Sequence, residues 1–104
     1  MSAITPNNSI TLNNWHYVAI TWDGTCISSG VSIYINGIAK NLNRGDGGGS
    51  ADPDAAFSLL IGNNTIAGNS YFTGLIDEVK IFNYALTPLQ IRDDYNQGAV
   101  RFGN

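Results

Sequence analysis

The sequence predicts an antiparallel all-β fold with one short C-terminal helix. Three observations carry that expectation: hydrophobic residues alternate with period two in successive segments, an Asn-Gly pair joins two of them, and one capped helix start stands near the C-terminus. Residues 15–22 read as the first clear strand, with Trp15, Tyr17, Ala19 and Thr21 on one face and His16, Val18, Ile20 and Trp22 on the other. Both faces hold apolar groups, so this strand is either covered on both sides or amphipathic with an aromatic outer face. In the next strand Val31, Ile33 and Ile35 share one face, and Ser32, Tyr34 and Asn36 the other. Asn36-Gly37 then predicts a type I′ hairpin turn, because this pair tolerates two successive positive φ angles. The chain returns as a strand over residues 38–42.

Residues 43–53 read as a loop. Gly45, Gly47, Gly48, Gly49 and Pro53, interleaved with Asp46 and Asp52 and followed by Asp54, leave nothing to bury. A strand over residues 57–61 follows, then a Gly- and Asn-rich loop that starts at Asn63-Asn64-Thr65. Residues 75–82 form the last strong alternation, with Leu75, Asp77, Val79 and Ile81 opposite Ile76, Glu78, Lys80 and Phe82. Thr87 is an N-cap, Pro88 the first helical residue, and Gln90 completes a capping box. Leu86 is placed to staple onto Ile91, the helix should run to about Asn96, and Gly98 should stop it. Leu89, Ile91 and Tyr95 are its expected anchors. Arg92-Asp93-Asp94 reads as a solvated face.

A chain of 104 residues makes one small domain. At 43% hydrophobic and 12% charged it is globular, not disordered. Its net charge of -3, with five scattered Lys and Arg, argues against nucleic acid as a partner. No apolar run reaches the length of a membrane span, and Met1-Ser2-Ala3 opens no signal peptide. Cys26 is the single cysteine: a loop thiol or small hydrophobic plug, with an intermolecular bridge as the sharper reading. Asn7-Asn8-Ser9 and Asn63-Asn64-Thr65 match the glycosylation acceptor pattern, which has meaning only in a eukaryotic secreted protein.

Three blocks, Asn14-Trp15-His16-Tyr17-Val18-Ala19-Ile20-Thr21-Trp22-Asp23-Gly24, Ile33-Tyr34-Ile35-Asn36-Gly37 and residues 71–86, resemble the laminin-G-like, concanavalin A-like jelly-roll modules in order and spacing. The resemblance covers most of the chain. It implies a two-sheet jelly-roll sandwich, and it corresponds to the C-terminal half of such a module, so residues 1–104 are expected to be one laminin-G-like domain that lacks the N-terminal strands. It further implies an extracellular or cell-surface recognition and adhesion module with a glycan or protein ligand. A structural subunit of a surface filament or larger assembly is the rival reading, and the tail from Asn96 to Gly103 is compatible with it. A glycoside hydrolase fragment ranks last.

Residue chemistry bears on these readings. Hydrolysis of a glycan needs two carboxylates held at a fixed separation across a cleft. Asp77 and Glu78 are neighbours on a strand and point to opposite faces, so the chain is expected not to be an enzyme. His16, the lone histidine, has no nucleophile and acid arranged around it in the sequence and reads as a surface or half-buried strand residue. Trp22, Tyr34 and Tyr71, with Phe72, are the candidate stacking platform for sugar rings, against the alternative that they are core or cross-strand pairs. At the position of Asp77 the resemblance implies an acidic residue that caps a loop or helps hold a structural calcium. One carboxylate falls short of the six to eight oxygens that ion takes, and no cofactor is otherwise expected. Asp46, Asp52 and Asp54 lack the EF-hand spacing. A half-module also leaves strand edges and the faces of Val31, Ile33, Ile35, Val79 and Ile81 without a second layer, so a homo-oligomer is expected.

Overall fold

The computed structural model describes residues 2–45, 58–64 and 70–101. It divides into two compact units, one of residues 1–50 with 82–104 and one of residues 51–81. All of the sheet pairing in both is antiparallel.

The first unit contains a three-stranded sheet in the order β2 (Val18–Trp22), β3 (Val31–Ile35), β4 (Ile38–Ala39). Its register pairs Val18 with Ile35, Ile20 with Ile33 and Trp22 with Val31. Opposed residues share a face, so these six side chains line one side, joined by Ile38 opposite Ile35. Ala19 with Tyr34 and Thr21 with Ser32 line the other. Between β2 and β3 the chain turns through a short 3-10 segment, Ser28–Gly30. Asn36 and Gly37 have φ of 51° and 77°, as the type I′ turn requires.

Strand β2 begins at Val18, three residues later than the alternation predicts. Tyr17 is nevertheless tied to the hairpin: its N–H donates to Asn36 Oδ1 at 3.0 Å, and its carbonyl accepts from Asn36 N–H at 2.9 Å. The Asn side chain thus takes the place of one rung of the ladder. The return strand, expected over residues 38–42, keeps only two residues in register, with Lys40 N–H still donating to Ile33 O. The chain then leaves this sheet for another. Asn43–Gly45, expected to be loop, is strand β5, paired with β1 (Ser2–Ile4). Glycine content pointed to a loop there, but a long-range partner 41 residues away overrides local propensity. Arg44 secures the junction by donating to the carbonyls of Ser28 and Val31. Asp46, Asp52, Asp54 and Phe57 lie outside the described residues.

The helix α1 (Pro88–Arg101) starts where the sequence predicts. Gln90 N–H donates to Thr87 Oγ1 at 3.2 Å, and Thr87 N–H donates to Gln90 Oε1 at 2.9 Å. Both halves of the capping box are made, which satisfies two of the three open N–H groups at the helix start, Pro88 having none. The expected stop at Gly98 is overrun by three residues. Glycine disfavours a helix interior by only about 1 kcal/mol, and a stop needs the left-handed cap as well as the residue. Ile91 is fully buried, but Leu89, the other aliphatic anchor expected, is 62% exposed. Tyr95 lies over the hairpin turn, with its ring 5.6 Å from that of Tyr17. An added Cβ on Gly37 would meet Tyr95 Cδ1 at 3.1 Å.

The second unit has one short ladder, β6 (Asn63–Asn64) with β7 (Ser70–Tyr71), extended by a hydrogen bond from Phe72 N–H to Gly62 O. Asn63 and Asn64 are therefore strand, not the start of a loop. Residues 58–61 belong to no ladder, and neither do residues 75–82, the strongest alternation in the sequence. A strand exists through pairing, and among the described residues nothing is hydrogen-bonded beside them as a strand. Glu78 also has φ of 51°, which interrupts the pleat, and its N–H donates to Asp77 Oδ1. Leu75, Val79 and Ile81 are accordingly exposed.

Candidate binding surfaces

The loop after β2 is built by its own side chains. Asp23 Oδ1 accepts from the N–H of Thr25 at 2.9 Å and from its hydroxyl at 2.6 Å. These bonds hold the fully exposed Asp23 carboxyl below its usual range. Asp23 N–H donates to Gly30 O, which closes the loop. A side chain at Gly30 would collide with Asp23 and Thr25, so the loop folds this way only with glycine there. Trp22 Nε1–H donates to Thr25 O at 2.6 Å. Its ring is thereby fixed at the sheet's rim, half exposed, with its single polar group already used.

Tyr34 is on the opposite side of that sheet and only 6% exposed. Trp22 and Tyr34 therefore form no common platform, and Tyr34 is a core residue: an aromatic in a central strand is covered by what packs on it. Tyr71 and Phe72, in the second unit, are exposed. Asp77 is exposed in the same unit, with one carboxylate oxygen turned to the Glu78 amide. Among the described residues no group of three or more His, Cys, Asp and Glu that could hold a metal ion gathers. His16 is half-buried and faces Thr11 and Asn36: Thr11 N–H donates to Nε2 at 3.1 Å, and Nδ1 is 3.4 Å from Asn36 Nδ2. It pins a turn before the strand. Cys26 is a half-buried free thiol. None of the described helices is long and apolar enough to cross a membrane.

A cleft of about 230 Å³ runs along the helix, lined by Phe82, Leu86, Gln90, Asp93, Asp94 and Gln97. Positions 90, 93, 94 and 97 recur at helical spacing and so share one face. An aromatic ring, two amides and two carboxylates meet there, and Phe82 is itself held edge-on by Tyr84, with centroids 5.8 Å apart. The sequence offered a signal for this group, a polar stripe on the predicted helix, but not its proximity to Phe82. Asp94 also departs from the solvated face expected of it. It is half-buried, and its Oδ2 accepts from Tyr17 O–H at 2.9 Å.

Burial first, and then the bond to Asp94, push the Tyr17 hydroxyl up to about 12. The folded protein thus keeps this proton at pH values where the unfolded chain, near 10, has lost it. The stabilisation is complete below about pH 10 and drains away as pH rises toward 12. Urea titrations across that window should show a steeper alkaline loss of stability in the wild type than in Tyr17→Phe. Parallel curves would mean that the proton is not held by the fold.

Antiparallel sheets, a capped C-terminal helix and a hairpin of this register define a β module of the jelly-roll type. The chain belongs to the concanavalin A-like lectin/glucanases superfamily, whose laminin G-like family model matches residues 1–92. Among solved structures it is similar to a crystal structure of an S-layer domain-containing protein from Clostridium thermocellum ATCC 27405. The TM-score is 0.62 and the identity 26%, over 84% of this chain and 42% of that one. The chain thus spans less than half of that structure's length. No curated protein matches it.

Proposed function

We propose that the chain is a non-enzymatic recognition module displayed at a cell surface, with a glycan as its ligand. The observation that carries this is the cleft along α1. Sugars present apolar C–H faces and paired hydroxyls, and the cleft sets the Phe82 ring beside the amides of Gln90 and Gln97 and the carboxylate of Asp93. The surface setting is supported by the similarity to an S-layer domain-containing protein. The non-enzymatic reading is supported by the acids themselves: Asp93 and Asp94 are sequence neighbours, and one Asp94 oxygen is engaged by Tyr17. Hydrolysis of a glycosidic bond needs two carboxylates flanking it about 5–10 Å apart.

A second reading, a structural unit of a surface assembly, is favoured by the exposed apolar face of the three-stranded sheet. A glycan array with the purified chain separates the two. The recognition reading expects selective binding that is lost in Phe82→Ala and in Asp93→Ala. Binding that survives both substitutions but fails in Trp22→Ala moves the site to the sheet rim. An array without signal removes the glycan and leaves the assembly reading.

A further inference from the structure

The polar side chains along the α1 cleft differ in what they can offer a ligand. Gln90 Oε1 already accepts from Thr87 N–H at 2.9 Å, as one half of the capping box. That bond settles which way the amide faces: its oxygen is turned to the helix start, and Nε2 with its two N–H donors is what remains for a ligand. Asp93, three residues on and exposed, is engaged by no other described residue. An ionised carboxylate only accepts. Phe82, 46% exposed, and the half-buried Leu86 add an apolar wall to the same cleft. We propose that the cleft selects sugars that carry an acetamido group, the N-acetylhexosamines. The acetamido carbonyl is received by Gln90, its N–H by Asp93 and its methyl by the Phe82 ring.

The pairing of groups selects that ligand. A donor-only side chain and an acceptor-only side chain stand at i and i+3 on one helix face, with Cβ atoms about 5–6 Å apart. A secondary amide carries their complement in one rigid plane, an acceptor on one edge and a donor on the other. A hydroxyl of a plain hexose can meet either group but brings no methyl to the ring. The ammonium of a deacetylated amino sugar suits Asp93 but confronts the Gln90 donors with further donors. A sugar acid sets its carboxylate beside Asp93 and Asp94, a like-charge contact.

The Gln90 amide is also held ready. The capping box fixes it before a ligand arrives, so less side-chain freedom is lost on binding. Gln and Glu both close a capping box. The helix start by itself therefore does not call for glutamine. What glutamine adds over glutamate is the donor it turns toward the cleft; glutamate would cap the helix and turn a charged acceptor there instead.

This inference rests on the glycan reading of the cleft, and its test separates the two. The purified chain is titrated by calorimetry with β-1,4-linked dimers of N-acetylglucosamine, of glucosamine and of glucose. The N-acetylated dimer should bind about tenfold or more tighter than either of the others. Gln90→Glu should weaken that dimer by about tenfold and leave the urea midpoint unchanged, because the capping box is kept. Equal affinity for the three dimers overturns the inference and leaves the glycan reading in place. So does a preference for the glucose or glucosamine dimer, or binding of the N-acetylated dimer that is indifferent to Gln90→Glu. Silence toward all three while other sugars on the array bind has the same consequence. An array without signal overturns both. The comparison of the three dimers uses the wild type alone, so it decides even where Gln90→Glu fails to fold.

Discussion

Ile91→Ala is expected to lower stability by about 2–5 kcal/mol, the range for emptying a buried aliphatic site. Among the described side chains of α1, Ile91 is the one large group with no exposure at all. Its amide donates to Thr87 O and closes the first helical turn. The side chain and the cap thus hold the same end of the helix. A domain of this size has only about 5–15 kcal/mol in total, so the loss should move the urea midpoint far. Leu89→Ala, two residues earlier and mostly exposed, should change it by no more than about 0.5 kcal/mol. Equal effects at the two positions would show that the helix is not anchored through Ile91.

Gly37→Ala should destabilise by about 1–3 kcal/mol, from two separate causes. The residue sits at φ 77°, where an L side chain is strained, and a Cβ there presses Tyr95 at 3.1 Å. Gly24→Ala isolates the first cause: its φ is 87°, but nothing stands within 4 Å of the added carbon. The larger loss at Gly37 then measures the contact between the hairpin turn and the helix. Tyr17 fluorescence and the alkaline midpoint should shift with it, because Tyr95 and Tyr17 pack on one another. If the two alanines cost the same, Tyr95 yields without penalty and the turn is not clamped by the helix.

The glycine at position 37 illustrates what could be read early. Asn36-Gly37 announces its turn because the constraint is local, two positive φ angles that only a few residues tolerate. The capping box is equally local: Thr87, Pro88 and Gln90 are within one helical turn, and both predicted hydrogen bonds form. The two faces of residues 18–22 were legible for the same reason, as period-two alternation sorts the side chains between them. The family resemblance, carried by three blocks in order, agrees with the match over residues 1–92.

What depends on a distant partner was not legible. Residues 75–82 alternate as well as any strand, yet alternation supplies no hydrogen-bonding neighbour, and the segment stands outside every described ladder. Asn43–Gly45 has the composition of a loop and becomes a strand because β1 is there to receive it. Tyr34 and Trp22 are both aromatic residues on strands. Only the register, Ala19 against Tyr34 and Trp22 against Val31, sends one into the core and leaves the other at the rim. Asp94 looks like surface charge until the fold brings it to the hydroxyl of Tyr17, 77 residues away. By itself the sequence determined turns, caps and faces, which are set by φ preferences and periodicity within a few residues. The tertiary structure alone decided which strands pair, which aromatics are covered and that Asp94 meets Tyr17, because each is a contact between residues far apart along the chain.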